Sequence, residues 1–376
     1  MNAKPRIVFC SLFKPVTDSR MYEKLAYSLS KTGKYEIIII GHAVSELPDD
    51  HFGNIIFMPL FSFGRLSPKR VFAPFILFRK LLKLKPQLII NNSVDFLFII
   101  SIYKSIYRSK FIYDVQENYY LNIISNRYIP YLIRSLAAAI VRLTELISAL
   151  YTDFYLLAEK TYKQELKFIN PKKSVVLENK YANLYPAPVN RDSTVQNGRI
   201  ILLYSGTIAE HYGIFDTIRF IEGFHEQYGE VLLHIIGFCP HKKTLNRLKN
   251  LIYGKEYISL TGGDKLVPHS MIIEAIQSAN AGIINYHINP STVNRFPTRI
   301  YEYLGNRLPV LIQDHKPWSD MVLKYKGGVI TDFKAPDYET LYNQLINNTF
   351  YSDFIPEELQ WESNEESLKS IISGII

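Results

Sequence analysis

Four consecutive isoleucines in the segment YEIIIIG, residues 35–41, are the feature that most constrains the fold of this chain. A strand that is apolar at every position has no face for water, so it belongs in a parallel sheet that helices cover on both sides. The preceding segment, DSRMYEKLAYSLSKTG (18–33), has the pattern of a helix with Asp18 as its N-cap and Gly33 at its end. Together with the apolar run IVFCSLF (7–13), these segments predict a β–α–β unit and an α/β fold.

The alternation of strands and helices continues to the end of the chain, with one interruption. The segment PAPVNRDSTVQNGR (186–199) is polar and lacks periodicity, which is typical of a linker. Before it, further strands are predicted at 54–60, 87–92, 110–115, 154–160 and 174–179, and helices at 68–85, 94–108 and 129–151. After it, strands are predicted at 200–206, 231–237, 257–263, 281–286, 309–314 and 327–333, and helices at 213–228, 241–252, 269–279, around Glu302 and at 364–373.

This organisation predicts two Rossmann-like domains, each with a doubly wound parallel sheet. The first covers residues 1–190 and the second covers residues 199–355, while the last segment, about 356–376, is expected to pack back on the first domain. A length of 376 residues also exceeds one ordinary core. Ligands of such sheets bind at the carboxyl ends of the strands, so we expect the binding site in a cleft between the two domains.

The charge is unevenly distributed between the two predicted domains. Residues 1–198 contain 27 Lys and Arg against 15 Asp and Glu, a balance of +12, whereas residues 199–376 contain 16 against 20, a balance of −4. Different partners are therefore expected for the two domains. The two cysteines, Cys10 and Cys239, form no spacing pattern, which argues against a disulfide framework or a cysteine-based zinc site. With no secretory signal and no apolar stretch of 18 residues, a cytoplasmic protein is expected.

Basic and aromatic residues are combined in the predicted helix 68–85, and the segment 127–142 also contains arginine and aromatic side chains. A basic amphipathic face binds anionic headgroups, so a peripheral contact with the inner face of the plasma membrane is one interpretation. The alternative is a solvated helix in an ordinary Rossmann-like layer. Nucleic acid is not expected as a partner, because no recognised binding motif accompanies the charge. The residues of the helix are Lys69, Arg70, Arg79, Lys80, Lys83 and Lys85 among Phe72, Phe75, Ile76 and Phe78.

The first candidate binding motif is LLYSGTIAEHYGIFDTI (202–218), where a strand ends at Ser205-Gly206-Thr207 and a helix begins near Gly213. A glycine at a strand end lets a ligand approach the backbone, and the free N–H groups and dipole of the next helix favour phosphate. The alternative is an ordinary strand-to-helix turn. The motif is not GxGxxG, so a nicotinamide dinucleotide is not indicated.

The second candidate motif is NRFPTRIYEYLGNRLPV (294–310), which places Glu302 within an apolar helical segment. Arg295 and Arg299 are four residues apart and Glu302 follows three residues later, spacings that can bring side chains to one side of a helix and its start. Arginines suit phosphate oxygens, and a carboxylate suits ribose hydroxyls. The alternative is a surface Arg–Glu pair, which contributes only about 0.3–0.5 kcal/mol.

Together the two motifs resemble the donor domain of GT-B glycosyltransferases, the retaining nucleotide-sugar enzymes grouped as glycosyltransferase family 4. YSGTIAEHYG matches the family's glycine loop, and NRFPTRIYEYLGNRLPV matches its Glu-x7-Glu element, with Glu302 on the second glutamate, which holds the nucleotide ribose. TGG (261–263) falls where the family's backbone borders the base. Less specific matches are DSRMYEKLAYSLSKTGKYEIIIIG for the first helix–strand unit, FIYDVQENYY for the Asp-x-His-Glu segment and FIPEELQWESNEESL for the closing helix.

The resemblance implies site residues in both domains. In the first domain, Asp114, Gln116 and Glu117 end a strand and are candidates for positioning the acceptor hydroxyl, the alternative for Asp114 being a cap of the following turn. In the second domain, Arg299 is the candidate that neutralises the diphosphate as the bond to the sugar breaks, and His211 is a further candidate for phosphate contact. The donor-binding candidates are Ser205, Gly206, Thr207, His211, Tyr212, Gly262, Gly263, Asn294, Arg295, Phe296, Pro297, Thr298 and Glu302.

Three features depart from the family pattern. Asn294 stands where the family has the first glutamate of Glu-x7-Glu, which weakens or replaces a contact to the sugar hydroxyls. Thr207 and Tyr212 stand where the family has the arginine and lysine of the phosphate loop, which is why Arg299 becomes the phosphate candidate. Gln116 stands in place of a histidine and cannot take a proton near neutral pH, so histidine-based roles are not expected there.

The function implied by the resemblance is transfer of a sugar, with retention, from a nucleotide-sugar to a hydroxyl of a glycan or lipid-linked acceptor in bacterial surface polysaccharide synthesis. UDP is the default nucleotide. No metal or other cofactor is expected, because no Asp-x-Asp motif is present and the acidic pair Asp49-Asp50 lies in a polar segment. Two alternatives remain open. One is a nucleotide-sugar epimerase of the same architecture, and the other is a non-catalytic scaffold subunit, which the missing lysine and first glutamate would explain.

Overall fold

The computed structural model describes residues 4–48, 53–65, 67–126, 129–182, 184, 199–290, 292–347, 349–351 and 357–376. The chain divides into two compact units. Unit 1 consists of Met1–Asn179 and Trp361–Ile376, and unit 2 consists of Lys180–Gln360. The predicted linker (186–198), the acidic pair Asp49-Asp50 and the first two residues of the segment 127–142 lie outside the described residues.

Unit 1 is built on a parallel sheet of seven strands. They are β1 (Arg6–Pro15), β2 (Glu36–His42), β3 (Ile55–Phe61), β4 (Leu88–Asn91), β5 (Lys110–Val115), β6 (Phe154–Leu157) and β7 (Ser174–Val176), in the spatial order β3-β2-β1-β4-β5-β6-β7. All four isoleucines of β2 are buried, as expected of a strand in a sheet with helices on both faces.

The helices of unit 1 begin with α1, which starts as π-helical turns (Ser19–Ala26) and ends in an α-helical turn (Tyr27–Ser30). The predicted N-cap is confirmed, since the carboxylate of Asp18 accepts from the N–H groups of Arg20 and Met21. The other helices are α2 (Ala73–Leu84), α3 (Val94–Ile106), α4 (Tyr119–Ile124), α5 (Tyr131–Ala149), α6 (Tyr162–Glu165) and, at the end of the chain, α13 (Glu362–Ile375).

Helices cover both faces of this sheet. The connections from β3 to β4, β4 to β5 and β5 to β6 run in one direction across the sheet, so right-handed crossovers place α2, α3 and α5 on the same side. There α3 packs between α2 and α5. The connection from β1 to β2 runs the opposite way and places α1 on the other side, where it packs on α13.

The last helix of the chain is held on α1 by buried polar contacts. The indole Nε1 of Trp361 donates to Ser28 Oγ (2.8 Å), and the carboxylate of Glu365 forms an ion pair with Lys31 (2.6 Å). Ser28 Oγ also lies 3.1 Å from Glu365 Oε1. The segment from Trp361 onward is therefore part of unit 1, although it follows unit 2 in the sequence.

Unit 2 is a second doubly wound parallel sheet, with six strands. They are β8 (Ile200–Thr207), β9 (Val231–Phe238), β10 (Ile258–Gly263), β11 (Ala281–Ile284), β12 (Val310–Ile312) and β13 (Gly328–Ile330), in the order β10-β9-β8-β11-β12-β13. Its helices are α7 (Ile214–Tyr228), α8 (Lys242–Ile252), α9 (His269–Ser278), α10 (Thr298–Gly305), α11 (Lys316–Lys324) and α12 (Tyr338–Asn347).

The two parallel-sheet units confirm the predicted α/β fold class. Each predicted strand and helix corresponds to an observed element, with ends that differ by a few residues. Four helices, α4, α6, α11 and α12, were not predicted, and α4 and α6 are only six and four residues long. Two of them have a capping side chain: Asn118 Oδ1 accepts from the N–H of Leu121 at the start of α4 (3.3 Å), and the carboxylate of Asp337 accepts from the N–H of Thr340 at the start of α12 (3.0 Å).

Candidate functional site

Glycines form the carboxyl ends of three adjacent strands in unit 2. Gly206 in β8 pairs with Gly237 in β9, which in turn pairs with Gly262 in β10, so the three lie at one level of the sheet. A Cβ on Gly237 would lie 1.7 Å from the carbonyl oxygen of Gly206, and one on Gly262 would lie 2.5 Å from that of Gly237. Side chains are excluded at this edge, so a ligand can approach the main chain.

Two glycines of this row, Gly206 and Gly262, were predicted as site residues, whereas Gly237 was missed. The available signal was its place at the end of the apolar run VLLHIIG, the same place that Gly206 has in its own strand. The predicted Gly263 differs from its neighbour, because it is buried and its carbonyl accepts from the N–H of Cys239 (2.8 Å). Gly262 is exposed.

The guanidinium of Arg299 lies beside the glycine row. Arg299 is the second residue of α10, and its guanidinium carbon lies 4.7 Å from the ring centroid of Tyr204 and 5.3 Å from that of Tyr286. Its Nη2 donates to the carbonyl of Thr207 (3.3 Å) and would lie 3.3 Å from a Cβ on Gly206. Two aromatic faces and the end of β8 thus hold the cation in place.

The positive charge of Arg299 has no counter-charge in the described part of the chain: no ion pair joins it to a carboxylate, and its Nη1 is buried without a hydrogen-bond partner. Burial alone would lower the pKa of this guanidinium, but the hydroxyls of Tyr286, Tyr204 and Tyr303 raise it above the ordinary value. Arg299 therefore stays charged. No carboxylate among the described residues neutralises this charge, so an anion bound here would be stabilised.

Tyr303 fixes α10 to the end of β8. Its hydroxyl oxygen accepts from the backbone N–H of Ser205 (3.2 Å) and lies 3.0 Å from Ser205 Oγ. The ring occupies the space beside Gly282 in β11, where a Cβ would lie 2.4 Å from it. The predicted site residue Ser205 is therefore fully buried with its hydroxyl engaged, while the side chain of Thr207 is exposed.

The loop between β8 and α7 is docked on the segment that follows β11. Gly213 has a φ of +75°, and a Cβ on it would lie 1.6 Å from the carbonyl oxygen of Asn285. Beside this contact, the ring of Tyr212 stacks on that of Tyr286 at 4.5 Å, and the backbone N–H of His287 donates to the carbonyl of His211 (3.0 Å). Only glycine fits at position 213, and this fixes the path of the loop beside Arg299.

His211 is exposed in this loop and packs on Tyr212, with 4.1 Å between ring centroids. Loss of water on the packed side lowers the pKa of His211 below its ordinary value, and the nearby His241, His287 and Arg295 lower it further. The imidazole is therefore neutral at neutral pH. An anion among these basic groups would favour its protonated form.

Glu302 is buried in α10 and does not form a surface pair. Arg299 and Glu302 are 6% and 9% exposed, so the alternative of a surface Arg–Glu pair is wrong. The Oε1 of Glu302 lies 3.1 Å from His269 Nε2, at the start of α9, and its backbone carbonyl accepts from Asn306 Nδ2 (2.8 Å). His269 was not predicted, because it is distant in the sequence and no spacing connects it to Glu302.

The predicted residues that precede Glu302 have different environments. Asn294 is exposed, and Arg295 is half-buried with its carbonyl accepting from the indole N–H of Trp318 (2.6 Å). The half-buried Phe296 has its ring 5.6 Å from that of Tyr301. Pro297 and Thr298 define the start of α10: the buried Pro297 is its N-cap, and the half-buried Thr298 is its first residue.

In unit 1, the predicted Asp114 forms a buried ion pair with Arg20. Its Oδ1 accepts from Arg20 Nη2 (2.8 Å) and Nε (3.0 Å), so the alternative of a turn cap is wrong. Arg20 also donates to the carbonyl of Leu177 (2.6 Å) and to Asn179 Oδ1 (3.0 Å). Arg20 was missed, because it lies on α1, far in sequence from β5, and only the sheet brings the two together.

Gln116 lies next to Asp114, and Glu117 lies apart from both. Gln116 Nε2 donates to Asp114 Oδ2 (2.6 Å), and its Oε1 is buried with no hydrogen-bond partner among the residues that the structure describes. Glu117 instead accepts from Asn122 Nδ2 in α4 (2.7 Å). The structure thus brings two of the three predicted residues together and leaves one buried acceptor atom available.

Within the described ranges, no group of three or more His, Cys, Asp or Glu side chains is placed to hold a metal ion. The positive groups at the carboxyl edge of unit 2 are supplied by side chains, namely Arg299 and the histidines and arginine around His211.

Comparisons with known proteins agree with this geometry. Residues 188–361 match the family described as Glycosyl transferases group 1. Among curated proteins, none matches the chain. Sucrose-phosphate synthase from Thermosynechococcus elongatus is a similar solved structure, with 13% identity and a TM-score of 0.63 over 99% of this chain and 96% of that one.

Two further solved structures are also similar to the chain. HepE from Anabaena, solved in complex with UDP-glucose, has 12% identity and a TM-score of 0.64 over 98% of this chain and 99% of that one. WaaG, a glycosyltransferase involved in lipopolysaccharide biosynthesis, has 12% identity and a TM-score of 0.59 over 97% of this chain and 95% of that one. At such identities the similarity establishes the fold alone. The chain therefore has the GT-B fold, and its residues 188–361 match the family described as Glycosyl transferases group 1.

Proposed function

We propose that this chain transfers a sugar from a nucleotide-sugar to a hydroxyl of a glycan or lipid-linked acceptor, with retention and without a metal ion. UDP-linked sugars are the default donors, which is supported by the structure of HepE with UDP-glucose. The role of WaaG in lipopolysaccharide biosynthesis supports bacterial surface polysaccharide as the product class.

The observation that carries the proposal is Arg299 beside the glycine row, a buried cation that has no counter-charge among the residues that the structure describes. A nucleoside diphosphate supplies the anion that the buried guanidinium lacks, and Nη1 offers it a free donor. The absence of side chains at Gly206, Gly237 and Gly262 leaves room for the diphosphate to lie against the edge of the sheet. In the proposed complex, Arg299 takes over the charge that family members place at positions 207 and 212.

Glu302 is proposed to accept hydrogen bonds from the ribose hydroxyls. It is buried in the same helix as Arg299, one turn further on, so a nucleotide whose diphosphate meets Arg299 can place its ribose near Glu302. The contact with His269 holds the carboxylate in one orientation before a ligand binds. Preorganisation of this kind improves affinity, because less side-chain entropy is lost on binding.

In the proposed reaction, the bond from the anomeric carbon to the diphosphate oxygen breaks, the acceptor oxygen bonds to that carbon on the same face, and the proton of the acceptor hydroxyl passes to the leaving diphosphate. Negative charge develops on the leaving diphosphate, and the fixed cation of Arg299 stabilises it where it forms. This supports a mechanism that needs no metal ion for charge neutralisation. In unit 1, the free Oε1 of Gln116 is proposed to accept from the acceptor hydroxyl, with Asp114 holding the amide in place.

The test of the proposed function is a calorimetric titration of the purified chain with UDP, GDP and ADP and with their glucose conjugates. Binding of one nucleotide, followed by sugar transfer only when an acceptor is present, supports the transferase. Conversion of the sugar without an acceptor indicates an epimerase, and donor binding without turnover indicates a scaffold. If no nucleotide binds, the proposed donor site is contradicted.

Replacing Glu302 with glutamine is expected to weaken UDP-glucose binding by about 10–100-fold, the value of a hydrogen bond to a charged group. His269→Gln should weaken it less, and the double variant should be no worse than Glu302→Gln, because His269 acts through Glu302. Calorimetry on the three variants measures this, with the exposed Glu339→Gln as the control. Unchanged affinity in Glu302→Gln would contradict the ribose contact.

Binding of UDP-glucose is expected to take up a proton at His211. The pKa of this histidine lies below its ordinary value of 6.5 in the free chain, and a diphosphate would raise it. Affinity should therefore rise as the pH falls toward 6. Titrations in two buffers of different ionisation enthalpy measure the proton uptake, and UDP-glucose is suitable because its diphosphate does not titrate in this range. Proton uptake that persists in His211→Gln would contradict the assignment.

A further inference from the structure

One side of α5 in unit 1 is exposed and carries only apolar side chains. Exposed fractions along it range from 39% at Ile147 to 80% at Leu132. Contiguous exposed apolar surface of this extent is rare on a soluble protein and marks an interaction site. The exposed residues of α5 are Tyr131, Leu132, Ile133, Leu136, Ala139, Ile140, Leu143, Leu146 and Ile147, and Leu150 and Tyr151 continue the same side.

None of the charged residues of α5 is exposed on this side, although the guanidinium of Arg134 lies over the ring of Tyr131 at the start of the helix, 5.4 Å from its centroid. Glu145 is buried on the inner side and pairs with Arg142 (3.1 Å), which is itself half-buried. Arg134 is half-buried and donates to the carbonyl of Asn126 (3.2 Å). The outer side of the helix therefore has no charge to keep it solvated.

The exposed apolar surface continues across the same helix layer and becomes basic at its far edge. On α3, which packs on α5, Phe98 and Ile106 are exposed. On α2, which packs on α3, one stripe carries exposed aromatic and basic residues together. That stripe contains Phe72, Phe75, Ile76, Arg79 and Lys83, and the preceding turn adds the exposed Lys69 and Arg70.

We propose that this surface binds an anionic lipid bilayer, with the apolar side of α5 inserted among the acyl chains and the basic edge at α2 on the headgroups. The charge of the sequence supports this occupant, since residues 1–198 carry a balance of +12. No helix in the described part of the chain is long and apolar enough to cross a bilayer. Because its inner side packs on unit 1, α5 lies along the surface, as interfacial helices do.

A second copy of the chain is the competing occupant, because part of α5 has the spacing of a helix–helix seam. Ile at positions 133, 140 and 147 and Leu at 136, 143 and 150 form a heptad pattern. The apolar surface is nevertheless wider than such a seam, since it includes Leu132 and Leu146 and extends to Phe98 on α3. Two copies would also bring their basic α2 edges toward each other. The lipid surface is therefore favoured.

The test is cosedimentation of the full chain with vesicles of phosphatidylcholine, with and without phosphatidylglycerol, at low salt and at about 0.5 M salt, where surface charge is screened. We expect binding to the anionic vesicles that weakens in salt but persists, because apolar insertion does not depend on charge. The measurement needs no nucleotide, so its outcome is separate from that of the proposed reaction.

Two double variants separate the contributions. Ile140→Glu/Leu143→Glu places charges on the apolar side and is expected to weaken binding at least tenfold at both salt concentrations. Arg79→Glu/Lys83→Glu should remove the preference for phosphatidylglycerol and leave the salt-resistant part. Leu323→Glu is the matched control, since Leu323 lies on a helix of unit 2 and is exposed like Leu143, at 53% and 56%. Circular dichroism and thermal unfolding establish that each variant is folded.

The proposal is overturned if the unmodified chain does not bind anionic vesicles, or if folded Ile140→Glu/Leu143→Glu binds them equally well. It is also overturned if light scattering shows a dimer that this variant converts to a monomer while vesicle binding is unchanged. That result would assign α5 to a second copy of the chain.

Discussion

Replacing Arg299 with methionine is expected to lower kcat/KM for the nucleotide-sugar by two to three orders of magnitude while the chain stays folded. Removing one fixed group that stabilises charge in a transition state lowers the catalytic rate by about 10²–10³-fold. Arg299 is the buried cation at the glycine edge that lacks a counter-charge among the described residues, so its loss removes the attraction for the diphosphate.

The free energy of unfolding should change little in this variant, or rise. Burial of the guanidinium costs desolvation free energy, which offsets its contacts with Thr207, Tyr204 and Tyr286, and methionine fills similar space without that cost. Activity and stability are therefore expected to move independently, which separates a ligand-binding arginine from a structural one.

Urea unfolding measures the free energy of unfolding, calorimetry measures the affinity for UDP-glucose, and steady-state kinetics measure kcat/KM. Arg219→Met is the control, because Arg219 is an exposed arginine on α7 that pairs with Asp216. If Arg299→Met loses several kcal/mol of stability but binds UDP-glucose normally, Arg299 serves to hold Thr207 and the tyrosines, and the proposed role is wrong. Arg299→Lys should recover only part of the affinity, since lysine cannot form the paired hydrogen bonds of a guanidinium.

Replacing Gly213 with alanine is expected to destabilise unit 2 by more than about 4 kcal/mol, in the range reserved for severe steric conflicts. The new Cβ would lie 1.6 Å from the carbonyl oxygen of Asn285, so the loop or the segment after β11 must move. That movement would also displace Tyr212 from Tyr286 and disturb one wall of the Arg299 site. The fraction of the variant that still folds is expected to have lost donor binding.

Gly254→Ala is a closely matched control for this substitution. Gly254 has the same φ of +75°, but nothing lies within 4 Å of a Cβ placed on it. Its replacement should cost only the backbone strain of a non-glycine residue, about 1–3 kcal/mol. Thermal and urea unfolding of the two variants compare them directly. Equal losses would show that backbone conformation, and not the contact with Asn285, requires glycine at position 213.

Much of the fold could be predicted from local patterns, because each pattern is produced by its own residues. The isoleucines of β2 require burial on both faces, and the capping by Asp18 involves only its immediate neighbours. The helices that were missed, such as α11, are stabilised by what they pack on. In α11, Trp318 is buried and its indole bonds to Arg295, which no local signal indicates.

The candidate site could be located only in part. The motif around Gly206 and the segment around Glu302 were recognisable because their residues are close in sequence. The tyrosines that enclose Arg299, the glycine at position 237 and the histidine beside Glu302 come from other strands and helices. Their contribution depends on sheet order and register, which a sequence pattern does not specify.

The surface that is proposed to bind a membrane could also be predicted only in part from the sequence. Sequence periodicity indicated that α2 and α5 are amphipathic or apolar, but it could not show which side of each helix packs on the sheet. In α5 the buried side includes Glu145, while the side with Leu136 and Leu143 is exposed, the reverse of what hydrophobicity alone predicts.

By itself, therefore, the sequence determined the class of fold, the succession of strands and helices and the two segments that carry the candidate donor site. These depend on backbone conformation and burial, which neighbouring residues largely dictate. The tertiary structure alone decided that Arg299 is buried with no counter-charge in the described ranges, that Glu302 meets His269 and that Asp114 is paired with Arg20. Such properties arise from contacts between distant residues, and only the folded chain brings those residues together.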